Sequence, residues 1–288
     1  MEGAGALAPG RLSGTLETPS GKGRGDENFP VGSFLIRRDL RPHVHAFYRF
    51  AREADDIADN PALAPGDKVR RLDRMAELLE GSPGNDSPSA TAMRRSLEET
   101  GVTTQHCHDV LHAFRLDATK LRYRDWDDLM DYCRYSASPV GRQLLDLHGE
   151  SAGATWASAD ALCSALQVLN HLQDCGADYR SLDRVYLPAE DLARHGATVE
   201  ELAGERLSPG MRRTLDDLLD KTSELVATAA ALPSVVRSRG LRIESAVIVA
   251  LAARLAALLR GGDPLATRVK LRKSDFAAAL LRGLRRGW

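Results

Sequence analysis

From residue 39 onward, apolar positions recur every three or four residues in runs that short breaker clusters interrupt. That spacing predicts helices at about 39–59, 65–80, 89–100, 104–120, 126–147, 159–178, 198–205, 209–231, 240–260 and 274–286. The breakers are Asn60-Pro61, the Gly81–Gly84 run, Gly101, Pro188 and the Gly261–Pro264 run. Strict alternation of apolar and polar residues persists nowhere, and no repeat of supersecondary length is visible. The pattern therefore predicts one all-α domain over 26–288, preceded by a tail at 1–25. The tail is rich in Gly, Ser, Pro and Ala, a composition expected to stay disordered.

Two of these helices carry polar stripes that a packed core does not explain. At about 100° per residue, Tyr48, Arg52, Asp55 and Asp59 fall within about 60° of one another. Asp55 and Asp59 stand four apart, so both carboxylates leave the same face, where like charges repel unless a cation lies between them. Asp56 leaves from another face. Gln167, Asn170, Asp174 and Asp178 repeat the device on a helix whose other faces are Leu162, Leu166, Val168, Leu169 and Leu172. Carboxylates on such a helix need partners, because an unpaired buried charge costs several kcal/mol. Either acidic pair alone reads as a solvated helix face. Two copies, each extended by amide, phenol or guanidinium groups, point to hard-metal ligation instead. Oxygen ligands from two helices suit Mg²⁺, with Mn²⁺ as an alternative, and the remaining ligands come from water and phosphate.

These residues resemble the squalene/phytoene synthase family. Its members carry Y-x-x-x-R-x-x-D-x-x-x-D on one helix, which here is Tyr48, Arg52, Asp55 and Asp59. They carry Q-x-x-N-x-x-x-D-x-x-x-D on another, here Gln167, Asn170, Asp174 and Asp178. The R-[VI]-Y-[LF] element that follows matches Arg184, Val185, Tyr186 and Leu187, and a Tyr-to-Gly element is approximated by Tyr132 through Gly141. The resemblance runs from Glu27 to near the end of the chain. It is nearest to the hydroxysqualene synthase branch of hopanoid biosynthesis, through the strings at 27–33, 54–61, 170–174 and 263–266. Other members carry S-x-S-F where this chain has Glu27, Asn28 and Phe29, a departure that bears against condensation of two substrates.

The resemblance implies an isoprenoid-synthase helical bundle around a central apolar cavity. It implies Mg²⁺ held by Asp55, Asp59, Asn170, Asp174 and Asp178. It also implies a prenyl diphosphate bound by Phe29, Tyr48, Arg52, Tyr132, Gln167, Asn170, Arg184 and Tyr186. The branch implies presqualene diphosphate as the single substrate, ionised and captured by water, without NADPH. No Gly-rich dinucleotide loop is present. Two alternatives stay open: head-to-head condensation of two prenyl diphosphates, and a non-catalytic subunit that presents a prenyl diphosphate to a partner. Association with neighbouring pathway enzymes is also within the family's range. Tyr132, Tyr135 and Ser136 are candidates to hold the capturing water.

Composition narrows the rest. A net charge of −1 argues against nucleic-acid binding, which needs a dominant basic surface. The four cysteines, Cys107, Cys133, Cys163 and Cys175, form no C-x-x-C pair and read as reduced thiols of a cytoplasmic protein. No secretory signal is expected at the N-terminus. The most apolar run, 243–259, is broken by Glu244 and Arg254 and reads as a core helix rather than a membrane span. The basic-apolar mixture of 271–288 allows either packing on the domain or contact with a membrane surface. His106, Cys107, His108 and His112 read as a surface histidine cluster without a full metal-ligand set. His171 and Cys175 read as packed neighbours of the second motif.

Overall fold

The structure, a computed structural model, describes Leu16 and residues 35–286, with side chains to Leu284. Twelve α-helices make up the described residues: α1 Arg41–Asp59, α2 Pro65–Leu79, α3 Pro88–Thr100, α4 Gln105–Thr119, α5 Trp126–Ser136, α6 Ser138–Leu147, α7 Ala152–Leu182, α8 Ala189–Arg194, α9 Pro209–Ala229, α10 Leu232–Val235, α11 Arg239–Gly261 and α12 Lys273–Arg286. No strand occurs among them, in agreement with the all-α expectation. Of the expected N-terminal tail only Leu16 is described; it is buried, and its N–H donates to the Asp86 carbonyl.

Helix α7 is the axis of the bundle, flanked by α5, α6, α9 and α11, whose buried leucines form the larger core. A second core ties α1 to α2, α3 and α4 through Phe47, Phe50, Ile57, Leu72, Met75 and Leu111. The C-terminal α12 lies along α11, burying Ala279 against Ile243, Val247 and Leu251 while Leu281 and Leu284 face outward. No described helix is long and apolar enough to cross a membrane.

Three departures from the sequence pattern shape the site. The stretch read as one helix at 126–147 is two, because the backbone breaks at Ala137 (φ −117°, ψ −48°) and Pro139 occupies the first turn of α6. Proline lacks an N–H and clashes with the carbonyl four residues back, so α5 cannot run through it. Helix α7 outruns its predicted bounds at both ends. It stops where Asp183 enters the left-handed region (φ 51°), its N–H reaching back to Tyr179 O at 3.1 Å. The predicted helix at 198–205 is a 3₁₀ turn, Val199–Ala203, held by a capping box between Thr198 and Glu201. Helices α8 and α10, of 6 and 4 residues, are too short to leave a periodic signature.

The turn at Asp183 is what delivers Arg184. Directly after it the chain pairs with the segment following α4, with Arg122 bridged to Val185 and the Val185 N–H donating to Leu121 O at 2.9 Å. Arg184 and Tyr186 are thereby carried against the end of α4 and the aspartates of α1.

Candidate active site

Two cavities follow one another along α1 and α7. The first, of about 350 Å³, is lined on α1 by Val44, Phe47, Tyr48 and Ala51 and on α7 by Ala159, Leu162, Cys163 and Leu166. Helix α6, with Val140, Gly141 and Leu144, and helix α11, with Leu241 and Ile248, complete its walls. Gly141 permits the close approach of α6 to α7: a Cβ there would lie 2.7 Å from the Cys163 sulfur. The second cavity, of about 240 Å³, is lined one turn further along by Asp55, Asp59, Gln167, His171 and Asp178, with Asp117, Tyr132, Ser136, Arg184 and Tyr186 around them. One chamber suits hydrocarbon and its neighbour suits a charged group.

The polar chamber is organised around Asp117 on α4, buried at 4% exposure. Tyr132 and Tyr186 each donate a hydroxyl hydrogen bond to its carboxylate at 2.8 Å. Arg184 donates from Nη2 to the Asp117 carbonyl at 2.8 Å and from Nη1 to the Asp59 carboxylate at 2.9 Å. A single guanidinium therefore joins α4 to α1. Burial pushes the Asp117 carboxyl above its usual range, against the pull of Arg184. Burial also holds the two tyrosine hydroxyls protonated, as donors, with Asp117 adding to the effect. His171 stacks on Tyr186, and its Nε2 lies 3.2 Å from the Gln167 amide nitrogen. Burial and then Arg184 lower its pKa to about 3, so it is neutral and accepts from that amide.

The acidic motifs stand close to this network. Arg52 pairs with Asp55 at 3.0 Å and with the buried Asp56 at 2.7 Å, which accounts for the carboxylate that left the motif face. Burial and the charge of Asp59 raise the Asp55 carboxyl to about 8. Burial and the charge of Asp174 raise Asp178 to about 7. Carboxylates that resist ionisation in this way are the groups a divalent cation would relieve. The donors are hard oxygens, and among the described residues Arg184 is the one cationic side chain lining the chamber, so the residues present fit Mg²⁺. Among the described residues no three His, Cys, Asp or Glu side chains converge tightly enough to hold a metal alone. Such a site fits an ion that takes its remaining ligands from water and phosphate.

Of the residues expected from sequence, Asp55, Asp59, Gln167, Asp178, Tyr132, Arg184 and Tyr186 line the polar chamber. Tyr48 lines the apolar one. Asn170 and Asp174 line neither, although Asp174 lies near enough to Asp178 for their charges to act on each other. Phe29 lies outside the described residues. Of the three groups considered for holding water, Tyr132 is engaged with Asp117 and Tyr135 packs edge-on against His112. The Ser136 hydroxyl lines the polar chamber and makes no hydrogen bond. The histidine cluster is not a surface one throughout: His106 and Cys107 are buried, with His106 bound to Asp146, while His108 is bound to Glu80.

Sequence reasoning missed Asp117 altogether. It also missed Lys68 on α2, whose ammonium donates to the Ala58 carbonyl at 2.7 Å. Burial and then the charge of Arg184 lower the Lys68 pKa, which places it beside the same rim.

A helical bundle with facing aspartate helices over an apolar chamber is the architecture of an isoprenoid synthase. The chain belongs to the squalene/phytoene synthase family, whose model matches residues 22–275. Among its relatives, the hydroxysqualene synthase of Rhodopseudomonas palustris is 46% identical over 93% of this chain and 91% of its own length. That of Sinorhizobium fredii is 47% identical over 85% and 84%. The crystal structure of a squalene synthase from Alicyclobacillus acidocaldarius superposes with a TM-score of 0.71 at 32% identity, covering 80% of this chain and 87% of the other. A ligand-bound dehydrosqualene synthase shares the fold at a TM-score of 0.76 and 23% identity, over 90% and 91% of the two chains.

Proposed function

We propose that the chain converts presqualene diphosphate and water into hydroxysqualene and diphosphate. The observation that supports this most is the succession of the two chambers, one built for hydrocarbon and one for a diphosphate, in a chain nearly half identical to hydroxysqualene synthases. The carbon–oxygen bond to diphosphate breaks with both electrons leaving on oxygen. Arg184 is set to bind the departing oxygens, because its planar fork is held in place by Asp59 and the Asp117 carbonyl. Tyr132 and Tyr186 stay protonated and hold the Asp117 carboxylate, whose Oδ1 lies 3.8 Å from Nε of the same guanidinium. Bound between the motifs by Asp55, Asp59, Asp174 and Asp178, with Asn170 beside them, Mg²⁺ would supply Lewis-acid stabilisation of the leaving diphosphate.

The cation left behind lies against the apolar chamber, where the faces of Phe47 and Tyr48 are among the lining groups and attract positive charge. Apolar walls offer the cation no nucleophile, so it survives until a held water reaches it. With Mg²⁺ and no NADPH, presqualene diphosphate should yield a C30 alcohol, whereas farnesyl diphosphate should yield no C30 product. Product mass spectrometry reads both. A C30 or C40 hydrocarbon formed from an allylic diphosphate alone would reverse the assignment in favour of condensation.

A further inference from the structure

The apolar chamber is not uniformly apolar. Apart from Tyr48 and Cys163, its wall contains three polar side chains: Gln143 from α6 and Glu244 and Ser245 from α11. All three are buried, with Gln143 at 2%, Glu244 at 4% and Ser245 at 7% exposure. Among the described residues Glu244 is the only carboxylate lining this chamber, and it interrupts the markedly apolar helix α11. Both the amide oxygen and the amide nitrogen of Gln143 are buried without a hydrogen-bond partner.

Neither feature serves the binding of hydrocarbon. A buried amide without partners is unfavourable, and polar cavity walls of this kind are ordinarily satisfied by an ordered water. A carboxylate in the same wall is unfavourable to a neutral chain, but it favours a cation and can take a proton from a water beside it. The Ser245 hydroxyl donates to the Arg242 carbonyl at 3.1 Å, which leaves its oxygen free to accept.

Resting on the reading of the reaction above, we propose that Gln143 and Ser245 hold the water that captures the carbocation, and that Glu244 is the base that accepts its proton. The water oxygen forms the new bond to carbon, one O–H bond breaks, and the proton passes to a Glu244 carboxylate oxygen. No oxidant or reductant enters. Glu244 is thus a catalytic residue of the second half of the reaction, in the apolar chamber and apart from the aspartates that serve the first.

The test separates the halves by measuring alcohol formed per diphosphate released from presqualene diphosphate. In Glu244→Gln the ratio is expected to fall at least about tenfold. Diphosphate release should slow less, with C30 hydrocarbon from proton loss replacing the alcohol. Gln143→Leu, an apolar residue in an apolar wall, should shift the ratio the same way and serves also should Glu244→Gln fail to fold. A ratio equal to that of the unaltered chain in the folded variants, whether turnover holds or falls, overturns the proposal. Failure of the unaltered chain to make any alcohol from presqualene diphosphate would instead defeat the underlying reading of the reaction.

Discussion

Replacing Asp55 with alanine should lower kcat by more than about a hundredfold while leaving the helical content unchanged. Losing a group that merely supports a metal ligand costs about 10- to 100-fold, and loss of a ligand itself should exceed that. Helical content should hold because the α1 backbone is anchored by Phe47, Phe50, Ala54 and Ile57, not by the carboxylate. The same residue predicts a dependence of stability on pH and metal. Asp55 ionises near 8 when folded, against 3.8 when free, so folding favours its protonated form. That contribution is fully present below about pH 4 and is lost as pH rises through 8. A divalent cation binds the ionised form and offsets the loss. Added Mg²⁺ should therefore raise Tm more at about pH 8.5 than at about pH 6.5, and Asp55→Ala should remove most of that difference. An Mg²⁺ response independent of pH, or one that persists in the variant, would detach Asp55 from the metal. Circular dichroism melts and single-turnover kinetics measure the two effects.

Arg184→Ala should be the most damaging single change outside the aspartate motifs, because it removes a structural joint and the proposed diphosphate ligand together. The guanidinium is buried at 5% exposure and holds Asp59 and the end of α4 at once. Its loss leaves Asp117 buried without its cation, and breaking a buried pair from one side costs about 3–5 kcal/mol. Denaturant midpoints should register that loss, and activity should fall with it. Arg184→Lys should recover part of the stability and little of the activity, since an ammonium cannot reproduce the two-pronged contact. Equal recovery of both by lysine would mean that Arg184 contributes charge without geometry.

The two acidic stripes were legible because a helix of about 3.6 residues per turn turns four-residue spacing into a shared face. Asp55, Asp59, Gln167 and Asp178 indeed meet in one chamber. Arg184 and Tyr186 were legible only through likeness to a family. Their placement depends on the left-handed turn at Asp183 and on pairing with the segment after α4, neither of which leaves a periodic trace. Asp117 was not legible. It is a lone carboxylate on α4, and its two tyrosine donors come from elements 15 and 69 residues away. The break at Ala137 falls inside a stretch whose apolar spacing reads as one helix, and its consequence needed coordinates: α5 serves the polar chamber and α6 the apolar one. Gln143 carries no sequence signal, because a glutamine in a helix is ordinary until its surroundings prove to be apolar.

In the proposed reaction water, and not hydride, ends the carbocation. Turnover of presqualene diphosphate in ¹⁸O-labelled water, with Mg²⁺ and without NADPH, tests it most directly. The C30 alcohol should carry the labelled oxygen. An unlabelled alcohol, or a hydrocarbon whose formation depends on NADPH, would contradict the account.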